Sequence, residues 1–126
     1  MMYTLPIKVP VSGIKSVYLN LNQYRNWHYH TSNKAKIAFK ELVTRQLDEV
    51  YEGKVEIDYL YYAPDRRKRD LMNVIAVADK FFQDTLVENG KIKTDDTETV
   101  IYISCQYMGI DKDNPRIEAI VKNHYL

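Results

Sequence analysis

The chain has 126 residues, 45% of them hydrophobic and 28% charged. That suits one domain with a real core and excludes the low-hydrophobicity composition of disordered chains. A single cysteine, Cys105, excludes an internal disulfide and a cysteine-rich zinc site, and fits a reducing, cytoplasmic setting. No apolar run approaches the roughly 18 residues of a membrane span, and the first residues lack the apolar core of a signal peptide, so a soluble protein without membrane contact is expected. The net charge of +1 conceals an asymmetry: residues 1–69 carry 12 Lys or Arg against 7 Asp or Glu, and residues 70–126 carry 6 against 10. A local basic surface for nucleic acid is compatible with such a near-neutral total.

In chain order, Leu5, Ile7 and Val9 alternate with Thr4, Pro6 and Lys8, which predicts a first strand whose prolines suit an edge or an end. Val17 to Trp27 shows no clear period and reads as a short strand or an ordered loop. Thr31 or Ser32 can cap a helix to about Tyr51, with Ala35, Ala38, Phe39, Leu42, Val43 and Val50 at helical spacing and Gly53 as its stop; Lys34, Lys36, Lys40 and Arg45 decorate its outer side. From Lys54 the period becomes two, with Val55, Ile57, Tyr59 and Tyr61 on one face of a strand and Glu56 and Asp58 on the other. Ala63-Pro64-Asp65 ends that strand, and the basic run Arg66-Arg67-Lys68-Arg69 leads to Asp70, placed to cap a second helix.

Leu71, Val74, Ile75, Ala78, Phe81, Phe82 and Leu86 form one apolar stripe on that helix, and Asn89-Gly90 terminates it. Strands over Val100 to Met108 and Ile117 to Val121 complete the chain, separated by a turn at Asp111 to Pro115. The order strand, helix, strand, helix, strand, strand predicts a single α+β (mixed α/β) domain over residues 1–126. Its mixed sheet should have about four to five strands, covered by two main helices.

Four aspartates bracket the second helix: Asp70 at its start, Asp79 within it, and Asp95 and Asp96 before the next strand. If the fold brings them together they suit a hard cation, because magnesium takes oxygen ligands and completes its octahedron with water and phosphate. Clustered without metal, they would repel one another and raise at least one pKa. Taken singly, each aspartate reads equally as a cap or a solvated loop residue. The adjoining basic run favours a site that handles a polyanion, since cations hold phosphate while a metal activates water. Arg66, Arg67, Lys68 and Arg69 are therefore candidate phosphate contacts, with a solvated basic turn as the alternative. Lys91 and Lys93 are placed to continue that surface. His28 and His30, beside Trp27 and Tyr29, suit base stacking, metal binding or plain packing.

The segment Pro64-Asp65-Arg66-Arg67-Lys68-Arg69-Asp70-Leu71-Met72-Asn73, followed by Asp84-Thr85-Leu86, Gly90 and Asp95-Asp96, resembles the RusA-like Holliday junction resolvases, endodeoxyribonucleases of phages and prophages. Their pattern runs Pro-Asp, a basic run, Asp-Leu-Asp-Asn, a helix with a lysine and Asp-Ala-Leu, then Gly and Asp-Asp. The match covers about a quarter of the chain, and Asn20 to Tyr29 with the following basic helix is similar to the family more weakly. The resemblance implies a homodimeric, magnesium-dependent hydrolase, manganese substituting, that resolves four-way junctions by paired nicking in DNA recombination and repair. The alternative is a junction-binding protein impaired in cleavage; an interaction module without a nucleic-acid role is a third reading.

On this resemblance Asp70, Asp79 and Asp96 hold the metal, Asp95 assists, and Lys80 falls on the family's helix lysine and stabilises charge on the phosphate. Met72 stands where the family has its second aspartate, and a thioether cannot ligate magnesium. With Asp84-Thr85-Leu86 aligned to Asp-Ala-Leu, this helix is one turn longer and Asp79 lies one turn beyond the missing carboxylate, on nearly the same face. Asp70 and Asp79 are nine residues apart, about 13 Å along a helix axis. They can share an ion only if the helix starts late or Asp70 reaches down from its loop.

Overall fold

The computed structural model describes residues 1–124. Its elements are β1 (Met2–Leu5), β2 (Lys8–Pro10), β3 (Ser16–Tyr18), α1 (Leu21–Tyr24), α2 (Tyr29–Thr44), β4 (Val55–Ala63), α3 (Leu71–Glu88), β5 (Val100–Ile110) and β6 (Arg116–Asn123). A four-stranded sheet has the order β1-β6-β4-β5, with β4 and β5 parallel and the other neighbours antiparallel, while β2 and β3 form a separate antiparallel pair. This is the α+β arrangement expected, with a mixed sheet of four strands. No helix among the described residues is long and apolar enough to cross a membrane.

The alternation of β4 does what its period predicts. Val55, Ile57, Tyr59, Tyr61 and Ala63 are buried, and the residues between them are half-buried on the open face of the sheet. There Asp58 accepts from the Ser104 hydroxyl and pairs with Lys122 at 3.2 Å, both of which hold its carboxyl below the usual range. On α3, consecutive residues serve two layers: Phe81 meets Phe39 of α2 with ring centroids 5.7 Å apart, while Phe82 packs between Tyr3 of β1 and Tyr59 of β4 at 5.6 and 6.4 Å. All five rings are almost fully excluded from water, and each contributes about 1.5–3 kcal/mol or more of burial free energy.

The ends of α3 fall where the caps place them. Asp70 Oδ1 accepts from the amides of Met72 at 3.0 Å and Asn73 at 3.4 Å, satisfying donors that a helix N-terminus leaves unpaired. Gly90 beyond the C-terminus takes φ 68, a conformation that costs glycine little.

Four expectations are corrected. The first strand divides at Pro6 into β1 and β2, which pair with β6 and β3 respectively; proline has no N–H to carry a ladder through the junction. Helix α2 begins at Tyr29, earlier than Thr31 or Ser32, because the ring of His28 caps it by accepting from His30 N at 3.3 Å. It ends at Thr44 instead of Tyr51, and Gly53 serves the turn into β4. The residues beyond Thr44 have other partners: the Gln46 amide bonds both backbone groups of Thr4, and Tyr51 inserts its hydroxyl against that of Tyr3 at 2.8 Å. Lys36 and Lys40, read as outward, face α3 and pair with Asp84 at 3.0 Å and Glu88 at 2.5 Å.

Because Phe82 joins α3 to both β1 and β4, Phe82→Ala should cost about 3–5 kcal/mol. Urea denaturation checks this, and a loss below about 1 kcal/mol would show that the ring is not central to the core.

Candidate nucleic-acid interface

Strand β4 delivers the basic run to the sheet end where β5 also terminates. Asp65 organises the turn there: it accepts from Arg67 N at 2.9 Å and pairs with Arg69 Nη1 at 2.8 Å, while Arg69 also donates to Arg67 O at 3.1 Å. These contacts hold the Asp65 carboxyl below its ordinary range and raise the Arg69 guanidinium. Arg69 thus shapes the turn. Arg66, Arg67 and Lys68 are exposed, and among the described residues their side chains make no ion pair.

The four basic residues rim a cavity of about 400 Å³ whose other walls are Tyr61, Ala63, Leu71 and Tyr107. Tyr61 is buried, whereas Tyr107 on β5 is 53% exposed, and their rings lie 6.0 Å apart at 46°. Cations beside an accessible aromatic face suit a nucleotide, the charges taking phosphate and the ring taking a base. Sequence reading found the cations and missed both tyrosines. Their signal was strand parity, since Tyr61 and Tyr107 are register partners on one face of parallel strands.

The four aspartates do not converge. Asp70 belongs to the cavity end, as the cap of α3. Asp95 and Asp96 lie in the turn before β5 at the opposite end, where Thr99 O accepts from Val55 N at 2.8 Å. Helix α3, 18 residues long, separates the ends by about 27 Å. Asp96 accepts from the Thr94 hydroxyl at 2.8 Å and Glu98 N at 2.9 Å, which holds its carboxyl below the ordinary range. The expected mutual repulsion of clustered carboxylates is therefore not what sets it.

Asp79 departs furthest from expectation. Helix α3 starts immediately after Asp70, so neither condition for the two to share an ion is met. Asp79 faces the sheet instead: its Oδ1 accepts from the buried Tyr59 hydroxyl and from Gln83 Nε2, the latter at 2.8 Å. Burial pushes its pKa up, and those two hydrogen bonds oppose the shift. The Cys105 thiol is in turn raised by burial and by the Asp79 charge.

Asp70, Asp95 and Asp96 carry the hard oxygen donors that magnesium takes. Within one chain, however, no three His, Cys, Asp or Glu side chains among the described residues come together where they could hold an ion. The predicted ligand set therefore does not fit a single-chain site. Lys80 is exposed on α3, and Met72 is 54% exposed on its first turn. Lys93 and Lys91 lie at the acidic end: Lys93 lines a shallow surface with Lys54 and Glu98, and Lys91 O accepts from Tyr51 N at 2.8 Å. They do not continue the basic turn. His28, the N-cap of α2, and His30 in its first turn stack with ring centroids 5.1 Å apart. No protein-family model matches the chain, and no curated protein matches it either.

The raised pKa of Asp79 has a definite pH consequence. The folded chain binds this proton more tightly than the unfolded chain, so the contribution of Asp79 to stability is fullest below the ordinary value of 3.8 and is lost as pH rises through the folded value. Asp79→Asn removes that loss. Urea denaturation from about pH 4 to 7 should show the variant gaining stability relative to wild type as pH rises. A difference that is flat with pH would remove the burial argument.

Proposed function

We propose that this chain is a subunit of a RusA-like, structure-selective endodeoxyribonuclease that binds branched DNA and, as a magnesium-dependent homodimer, resolves four-way junctions by paired nicking. The observation that carries the reading is the cavity between the basic turn and Tyr107, next to the Asp70 cap. Arg66, Arg67 and Lys68 offer charge to phosphates, and the Tyr107 ring offers a stacking surface to a base that a branch point leaves unpaired. Asp65 and Arg69 keep the turn in shape for both.

Because Asp70 and the Asp95-Asp96 turn stand at opposite ends of α3, their carboxylates can meet only between chains. Cleavage in this reading is a property of the dimer. Magnesium would supply a Lewis acid and an activated water there; Lys80, exposed midway along α3, stands roughly 15 Å from the Asp70 end of the helix, so the charge-stabilising role expected of it is not retained. The metal role expected of Asp79 is not retained, since its carboxylate serves the Tyr59 and Gln83 hydrogen bonds. Those bonds, together with Met72 in place of a carboxylate, favour a second reading in which the chain binds junctions without cutting them.

Arg67→Ala should weaken junction binding and lower its log–log salt slope by about one, and Tyr107→Ala should cost about 1–3 kcal/mol of binding with an unchanged slope. Unaltered affinity in both variants would show that the cavity is not a DNA surface. Asp96→Asn should abolish magnesium-dependent nicking while leaving binding intact, since the amide keeps the shape without the charge. Wild-type protein that binds junctions but nicks none of them at any magnesium or manganese concentration would select the second reading.

A further inference from the structure

The two edges of the main sheet are treated differently. Strand β1 has four residues, and the Gln46 amide covers its outer side, donating to Thr4 O at 2.7 Å and accepting from Thr4 N at 2.8 Å. Strand β5 has eleven residues and contains no charged residue and no proline. Beyond its first residue, where Val100 N donates to Asp96 O at 2.9 Å, no side chain or loop among the described residues hydrogen-bonds its outer backbone edge. Its register with β4 slips at Ile101 and Met108, leaving Tyr102 to Tyr107 as a regular run. Along the strand, Tyr102, Ile103, Tyr107, Met108 and Ile110 are 42–53% exposed. A long, uncharged, apolar edge is a template for pairing, which protein sheets ordinarily suppress with lysine, proline or a short strand.

We infer that β5 pairs antiparallel with β5 of a second copy of this chain, joining two sheets into one across a twofold axis near Cys105. The proposal names the surface for the homodimer in the reading above and is independent of whether the protein cuts DNA. Pairing about Cys105 sets Ile103 against Tyr107 of the other copy on the helix-covered face, and Tyr102 near Met108 on the open face. Tyr102, Ile103, Tyr107 and Met108 thereby meet one another, Gln106 meets Ser104, and no like charges face each other along the strand. The outer N–H and C=O groups of the edge gain the partners they lack.

Charge at the two ends points to the same occupant. The C-terminal end of β5 lies beside Arg66, Arg67 and Lys68 and runs into Asp111-Lys112-Asp113, of which Asp111 is paired with Arg116, whereas its N-terminal end follows the exposed Asp95, Asp96 and Glu98, with Lys54 and Lys93 at their side. An antiparallel twofold brings the basic turn of one copy towards the acidic turn of the other, twice per dimer. Pairing in the opposite sense would place like ends together.

Sedimentation equilibrium of the full chain tests this, beside Ile103→Lys/Gln106→Lys, which places a like charge on each face of the edge at positions outside the core. Wild type should be a dimer, the variant should raise its dissociation constant at least about tenfold, and far-ultraviolet circular dichroism should stay that of the folded chain. Amide hydrogen exchange over residues 102–107 of wild type should slow as protein concentration rises. A dimer insensitive to the lysines, with exchange independent of concentration, would overturn the β5 surface while leaving a homodimer in place. A wild type that is monomeric at high concentration would overturn both, and junction binding measured on the same samples reports separately on the DNA reading.

Discussion

The parallel pairing of β4 with β5 governs how this molecule is laid out. Parallel neighbours cannot be joined by a tight turn, so the chain must travel back along the sheet before β5 can begin. Here α3 makes that journey, and its eighteen residues match the length of the nine-residue strand β4, at about 27 and 30 Å respectively. Whatever precedes α3 must stand at one end of the sheet and whatever follows it at the other. The basic turn and Asp70 therefore share the cavity end, and Asp95 and Asp96 share the far end. Charged residues that bracket one helix in the chain thus stand at two poles of the molecule.

Along α3 the competing demands are settled by burial. Phe81 and Phe82 tie the helix to α2 and to the sheet, and this fixes the rotation that turns Asp79 inward. A carboxylate at that position loses water, and the Tyr59 hydroxyl with the Gln83 amide returns only part of what it loses, so its pKa rises. Asp96 shows the reverse balance: it is exposed and well supplied with donors from its own turn, and its pKa falls. The two residues were candidates for the same ion, yet their environments assign them different work. Asp79 is a polar tie between α3 and β4, and Asp96 is an ionised group facing water.

The edges of the sheet decide which surfaces remain for partners. Gln46 leaves the path expected for α2 to close β1, and helix formation beyond Thr44 is given up to do so. Nothing equivalent covers β5 among the described residues. Its apolar run therefore stays open, the surface from which we propose association, and Tyr107 contributes both to that strand and to the basic cavity.

The amino-acid sequence by itself determined the features that depend on neighbours in the chain. The period of two in β4, the apolar stripe of α3, the Asp70 cap and the Asn89-Gly90 stop are local patterns, and each appears where the pattern places it. The cluster Arg66 to Arg69 was legible for the same reason, since adjacent cations stay adjacent in any fold. The tertiary structure decided what depends on distance through space. Helix α2 stops at Thr44 because Gln46 and Tyr51 have partners on β1; Lys36 and Lys40 turn to α3 because Asp84 and Glu88 are there. Tyr107 joins the basic turn because β5 lies parallel to β4, and Asp79 leaves the expected carboxylate set because the packing of Phe81 and Phe82 sets the face of α3 that meets the sheet. Spacing along a helix specifies a face, but only the neighbouring layer specifies whether that face meets water, an ion or a buried hydroxyl.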